Sequence, residues 1–364
     1  MIGRVVAMTG DYTTEVMEFE VPKAEKGGII MEVVKANVCG SDIHQWEGKH
    51  ILKNHVMGHE MMGRVYDLGE GVTTDFAGQP IKIGDRIVPV YYLVCYKCRN
   101  CQNGLYNICE HGNDLGAQTA VTWPHFTGAF ATHYYIANGQ AFYKIPDCIP
   151  DDVAAGTNCG VTQMIYTMER AGLHCGQHVV VQGAGGLGLF TCAIARESGA
   201  TVISIDSVES RLEEAKKFGA HYTINMKEYD TIEKRKARIE ELTNGFGADI
   251  VVELAGVPAA FNESLRLVRP GGTVVEAGNV LVKEEFNTPI VPGIIVRNCI
   301  TVIGQVRYLP RYLHKALKFL EETQDKYPYG GMTDQYYSLD EVQLALRRSA
   351  DREVQRAIIA PGKK

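Results

Sequence analysis

Four thiols crowd one short stretch of this sequence: Cys95-x-x-Cys98-x-x-Cys101 and, after seven intervening residues, Cys109. Four thiolates so spaced suit a tetrahedral Zn²⁺ at about 2.3 Å per bond, with no ligand position left open, which predicts a structural site. An iron–sulfur cluster is the alternative metal use, although the run lacks the C-x-x-x-C-Pro continuation of a ferredoxin. A redox dithiol needs two cysteines rather than four. A second constellation is more dispersed. Cys39-Gly40-Ser41-Asp42-Ile43-His44 and Gly58-His59-Glu60 offer a soft ligand and an imidazole from separate loops, and Cys159 in Thr157-Asn158-Cys159-Gly160 is the third candidate. Cys/His/Cys plus water is a catalytic zinc arrangement open at its fourth position. Taken alone, a cysteine such as Cys39 is more often a small buried packing residue than a ligand.

The third chemistry-bearing motif is Gly183-Ala184-Gly185-Gly186-Leu187-Gly188, a G-x-G-x-x-G that follows the apolar run Val179-Val180-Val181 and opens a helical pattern. Gly183 and Gly185 allow a tight turn and close approach to a pyrophosphate, and Gly188 lets helix and strand pack. The helix N-terminus, beginning at Gly186 and Leu187, offers unpaired N–H groups to the anion. Asp206 stands at the end of the next predicted strand, where its carboxylate can accept hydrogen bonds from the ribose hydroxyls of NAD. The 2′-phosphate of NADP would meet like charge there. A glycine-rich turn without a ligand explains the glycines but not the strand, helix and acid together.

These motifs need elements to hold them. Residues 1–150 read as a mostly β module with turns such as Leu68-Gly69-Glu70-Gly71 and Ile83-Gly84-Asp85-Arg86, and the four-cysteine lobe near 95–109 lies within it. From about 151 the rhythm changes. Strand patterns at 178–182, 201–205, 249–254 and 273–276 alternate with helical ones at 187–198, 208–218 and 258–268, which predicts an α/β fold with a parallel sheet. A strand at 300–303, helices near 310–322 and 339–349 and a strand-like Ala357-Ile358-Ile359 follow. Periodicity does not say which module they join.

Composition narrows the classes. Forty-three acidic against thirty-seven basic residues give a net charge of −6, with no basic run dense enough to follow a phosphate backbone, so nucleic acid is not the expected partner. No stretch approaches the roughly 20 apolar residues that span a bilayer, and the first residues lack the apolar core of a signal peptide. The expectation is a cytoplasmic protein without membrane contact. Ten cysteines in a chain of 364 residues are too sparse for a disulfide scaffold. Cys148, Cys175, Cys192 and Cys299 are expected as packing residues, and His50, His55, His111 and His125 carry no assigned role.

With the motifs in view, the chain resembles the zinc-dependent medium-chain dehydrogenase/reductase family of alcohol, polyol and threonine dehydrogenases. The resemblance runs through C-G-S-D-x-H at 39–44, G-H-E at 58–60, Gly84-Asp85-Arg86-Ile87, the four-cysteine lobe and the glycine fingerprint. It implies a GroES-like catalytic domain over 1–150, a Rossmann NAD-binding domain over 151–298, and a segment 299–364 that completes the catalytic domain. It implies two zinc ions per chain, with Cys39, His59 and Cys159 at the catalytic one and Cys95, Cys98, Cys101 and Cys109 at the structural one.

By the same resemblance, Ser41 starts a proton relay that continues through the cofactor ribose to His44. An N-cap serine and a surface histidine are the plain alternatives. Asp42 would orient His59, and Glu60 would lie behind the metal or bind it transiently. Arg211, Ala255, Ala277 and Gly278 are expected at the cofactor, and Arg297 at the pyrophosphate or in a local ion pair. Trp46, Trp123, Phe126 and Phe130 are candidates for an apolar pocket or for local core. The expected reaction is reversible oxidation of a bulky or cyclic secondary alcohol to a ketone. The alternatives are a primary alcohol, polyol or 3-hydroxy amino acid substrate and, in a different class, a zinc-containing binding protein. Related chains pair through the Rossmann sheet edge, which implies a homodimer or homotetramer.

Overall fold

Runs of β-branched residues lay out two large sheets in this computed structural model, which describes residues 1–49, 53–332, 335–354 and 356–363. His50 therefore lies outside the described residues. The early strands are β1 (Ile2–Gly10), β2 (Thr13–Glu20), β3 (Ile29–Asn37), β4 (Glu60–Leu68), β5 (Arg86–Pro89), β6 (His133–Ile136) and β7 (Phe142–Lys144). The middle of the chain supplies β8 (His178–Gln182), β9 (Thr201–Asp206), β10 (Tyr222–Asn225), β11 (Ala248–Glu253), β12 (Val268–Glu276) and β13 (Thr301–Gly304). Two late strands, β14 (Gln335–Tyr337) and β15 (Ala357–Ile359), complete the set.

The chain divides into two units: Met1–Thr162 with Arg307–Asp325 and Tyr329–Lys364, and Gln163–Val306 with Lys326–Pro328. In the first, β1 and β2 form an antiparallel hairpin, and a seven-stranded sheet runs β14-β15-β3-β4-β5-β7 with β6 also paired to β3. Register sets Asn37 opposite both Glu60 and Ile358, so the returning strand β15 lies beside the strand next to the His59 loop. Alternate side chains of β3 and β4 enter a core with Met57, Phe130, Tyr337 and Leu346.

The second unit is a six-stranded parallel sheet in the order β10-β9-β8-β11-β12-β13. Its central strands are apolar on both faces, as Val179–Val181 and Ile250–Val252 show, because helices cover each side. The strand order reverses between β8 and β11, and in doubly wound sheets ligands bind at the carboxyl ends beside that switch point. The expected α/β architecture is present. Some elements differ from expectation. β10 and the helix Ile232–Leu242 are additional; the latter buries only Arg235 and Ile239, too little apolar signal for its period to show. Thr301–Gly304, expected in the closing segment, instead pairs with β12 as the sixth strand of the parallel sheet. Among the described residues no helix is long and apolar enough to cross a membrane.

Candidate functional site

Cys39 caps the helix Gly40–Trp46, and Asp42 closes its first turn by accepting a hydrogen bond from the Cys39 amide at 2.8 Å. Its other oxygen lies 3.1 Å from His59 Nδ1. Asp42 is fully buried, so this bond orients the imidazole with its Nδ1 proton on the carboxylate, and Nε2 is left as the ligand atom once a metal displaces its proton. Cys159 sits on a single π-helical turn, Thr157–Val161, a local widening that recurs at functional sites. One donor atom each from Cys39, His59, Glu60 and Cys159 lies within 4.8 Å of the others.

The electrostatics follow from that crowding. Cys39 is held well below the usual thiol range by the hydrogen bond from Cys159, with His59 and Ser41 adding to it. Cys159, the donor, is pushed well above that range by the same bond and by burial. Burial works to lower His59, but the Asp42 carboxylate outweighs it and holds the imidazole well above its ordinary value. Glu60 is pushed up to about 7 by burial, although Arg356 opposes this from 2.6 Å. So many acidic donors in a small buried space repel one another as anions. A divalent cation lets them ionise together, and two thiolates with an imidazole fit zinc.

Ser41 is not the N-cap; it lies one residue inside the helix, with its hydroxyl on the Cys39 sulfur. His44 Nδ1 lies 3.6 Å from the Glu47 carboxylate, and its side chain is 38% exposed, enough to exchange protons with water.

The other thiol cluster is built from backbone N–H groups. Cys95 Sγ accepts from the amides of Lys97 and Cys98, Cys98 Sγ caps the helix Arg99–Gln102, and Cys109 Sγ accepts from the Cys95 amide. Those amides stabilise thiolate, and they bring Cys95 down to about 6. A tetrahedron with bonds of about 2.3 Å has edges of roughly 3.8 Å. Cys95 and Cys101 sulfurs are 3.9 Å apart, and all four lie within 4.8 Å of one another.

In the second unit, Gly183 has φ +98°, and a Cβ there would come within 2.9 Å of the Ala255 amide. A Cβ at Gly188 would overlap the Gly183 carbonyl, whereas Gly185 faces open space. The close approach needed at Gly183 is therefore to the loop after β11, and Gly185 is the glycine with room for a ligand. Gly185 caps the helix Gly186–Glu197 without a side-chain partner, leaving the first-turn amides available to an anion. Asp206 is nearly buried; its oxygens accept from the Ala184 and Val208 amides at 2.8 and 2.9 Å, and Arg211 stands 4.0 Å away.

At the same carboxyl edge, Glu253 accepts from the amides of Ala255 and Gly256, and Glu276 accepts from the Asn279 amide. The Asn279 side chain donates to both acids. Ala277 is buried and Gly278 half-buried on the loop that this network holds.

Several expectations need correcting. Arg297 ends the helix Pro292–Arg297 just before β13, which places it at the amino edge of the parallel sheet, opposite the glycine turn. Phe126 and Phe130 are fully buried core residues rather than pocket lining. Trp46 is buried, with its indole donating to Gln343, and Trp123 is exposed against Tyr135. Of the four expected packing cysteines only Cys192 is buried; Cys148, Cys175 and Cys299 are exposed. Arg356, which pairs with Glu60 across most of the chain, belongs to no motif and gave no sequence signal.

A doubly wound sheet with a glycine fingerprint in one unit, and one closed and one mixed thiol cluster in the other, define a zinc- and dinucleotide-dependent oxidoreductase. Residues 25–147 match the alcohol dehydrogenase GroES-like domain, and residues 186–322 match the zinc-binding dehydrogenase domain. The chain is 31% identical over 94% of both chains to 5-exo-hydroxycamphor dehydrogenase of Pseudomonas putida. It is 33% identical to sorbitol dehydrogenase of Halalkalibacterium halodurans over 84% of each. Its fold matches an alcohol dehydrogenase structure from Thermotoga maritima with a TM-score of 0.92, at 26% identity over 99% of both chains. The chain belongs to the zinc-dependent, alcohol-dehydrogenase-like family of medium-chain dehydrogenases/reductases, and it is an oxidoreductase acting on a small-molecule substrate with zinc and NAD.

Proposed function

We propose that this enzyme carries out the reversible, NAD-linked oxidation of a bulky or cyclic secondary alcohol to a ketone. The observation that carries the reading is the convergence of Cys39, His59 and Cys159 donors, with Asp42 behind His59. These three residues hold the catalytic zinc, with Glu60 beside it, and Cys95, Cys98, Cys101 and Cys109 hold the structural one. Bound there, zinc supplies the Lewis acidity that eases loss of the alcohol proton, and NAD supplies the hydride acceptor. Ser41 Oγ accepts the proton as it passes its own onward, and His44 ends the relay by releasing a proton to solvent. The amides of Gly185, Gly186 and Leu187 receive the pyrophosphate, with Gly183 and Gly188 shaping the turn. Asp206 accepts from the ribose hydroxyls and repels a 2′-phosphate. Arg211 flanks the adenosine ribose, and Ala255, Ala277 and Gly278 border the nicotinamide.

The substrate class draws on the relative named for hydroxycamphor, a bulky cyclic alcohol, which matches along nearly the whole chain. The sorbitol relative favours a polyol as the second reading. The edge strand β13 leaves Val302 exposed, with Val296 and Val306 exposed nearby, so the proposed assembly is a homodimer joined through this edge, or a homotetramer built from two such dimers. Ten unpaired cysteines suit a reducing compartment, which makes the cytoplasm the proposed location.

A reduction screen with NAD and NADP over cyclic, linear, polyol and 3-hydroxy amino acid substrates, with zinc assayed on the same sample, tests the reading. The expected result is fastest turnover on a cyclic secondary alcohol, preference for NAD and two zinc ions per chain. Activity confined to small linear alcohols overturns the substrate class, equal efficiency with NADP overturns the role of Asp206, and one zinc per chain overturns the catalytic donor set.

A further inference from the structure

Asn158 is fully buried and immediately precedes Cys159. Its side-chain amide spends every strong contact on backbone of other segments. Nδ2 donates to the His59 carbonyl at 2.9 Å and to the Pro89 carbonyl at 3.0 Å, and Oδ1 accepts from the Met61 amide at 3.3 Å. One carboxamide thus joins the π-helical turn of Cys159 to the peptide unit of His59, to the first residues of β4 and to the end of β5. The backbone of Asn158 is held in turn. Its carbonyl accepts from the Tyr308 hydroxyl, and the Tyr308 carbonyl accepts from the Tyr92 hydroxyl.

We infer that Asn158 is a positioning residue that sets the separation and aim of the His59 and Cys159 donors, acting through the His59 peptide and its own chain bond to Cys159. The inference rests on the proposed reading of Cys39, His59 and Cys159 as a metal site. Asparagine is specified by the pattern of its partners: two carbonyls need two N–H donors from one group, and one amide needs an acceptor beside them. An aspartate of the same shape would aim a carboxylate at two carbonyl oxygens, and a serine is too short to span the three segments. Groups that orient metal ligands from behind typically contribute about 10–100-fold to metal affinity when they are lost.

The test compares wild-type chain with Asn158→Asp, Asn158→Ser and the milder Tyr308→Phe. Zinc per chain is measured, the affinity of each zinc is read by competition with a chromophoric chelator, and the visible spectrum is recorded after exchange with Co²⁺. The expected result is one zinc retained at wild-type affinity by the four-cysteine lobe and the other weakened at least tenfold, with shifted cobalt bands. Tyr308→Phe should shift the bands in the same direction by less, and it keeps the test decisive should the Asn158 variants fail to fold. Unchanged affinity for both ions with an unchanged cobalt spectrum in the folded variants overturns the inference. A wild-type chain that binds only one zinc instead overturns the donor-set reading beneath it, so the two failures are distinct.

Discussion

Raising the pH should loosen the dinucleotide-binding unit through one buried carboxyl. Glu253 is fully buried at the end of β11, and its register partner on β12 is Glu276. Burial first, and then the adjacent Glu276 carboxylate, push Glu253 from 4.5 up to about 8. In the unfolded chain the same carboxyl ionises at its ordinary value. The folded protein therefore holds more protons than the unfolded one between those two values, and stability falls as pH rises through that window and levels off above it. Each pH unit inside the window costs about 1.4 kcal/mol, so a move from pH 6 to pH 9 removes roughly 2–3 kcal/mol. At about 2–4 °C per kcal/mol, the melting temperature attributable to this group drops by about 5–10 °C. The assay is thermal unfolding by circular dichroism at both pH values for wild type and Glu276→Gln. Replacing the second carboxylate leaves burial opposed by the Ala255 and Gly256 amides, so the variant should lose less and be the more stable chain at pH 9. Equal losses in the two proteins would refute the coupling of Glu253 to Glu276.

Further outcomes follow from the same geometry. Arg356→Leu leaves the buried Glu60 without its cation and should destabilise the chain by about 3–5 kcal/mol, read from the urea midpoint. Gly188→Ala drives a methyl into the Gly183 carbonyl and should abolish NAD binding by fluorescence titration; retained affinity would show that the turn adapts. Ser41→Ala should lower turnover by about 10²–10⁴-fold while both zinc ions stay bound, and full turnover at neutral pH would remove the relay role.

Residue chemistry decided how much was legible in the sequence. Thiols, imidazole and glycine are scarce enough that Cys95 to Cys109, Cys39, His59, Cys159 and the turn at 183–188 stand out before any fold is known. The parallel strands show through continuous valine and isoleucine, whereas the helix Ile232–Leu242 hides behind its charges. Asn158 and Arg356 leave no local trace, because their partners are backbone carbonyls and a carboxylate that only the register of β3, β4 and β15 brings near. Phe126 and Phe130 stay open between pocket and core in the sequence, because an aromatic ring has the same signature in both. Arg297, which the sequence leaves open between the pyrophosphate and a local ion pair, precedes its strand and so lies at the amino edge of the sheet.

The pairing of Ile358 with Asn37 has a bearing on how the chain is made. On the ribosome, β3 emerges early and β6 covers its first residues, Ile29–Glu32, but the end at Ala36 and Asn37 keeps an open hydrogen-bonding edge while the whole parallel sheet is synthesised. Only when β15 appears is that end paired, so the sheet of the first unit is completed after the strands of the parallel sheet have been made, although it begins before them. The nascent chain thus carries a short unpaired strand end until β15 is made. A circular permutant that makes the segment from 335 onward ahead of β1 would shorten that exposure and should fold in higher yield.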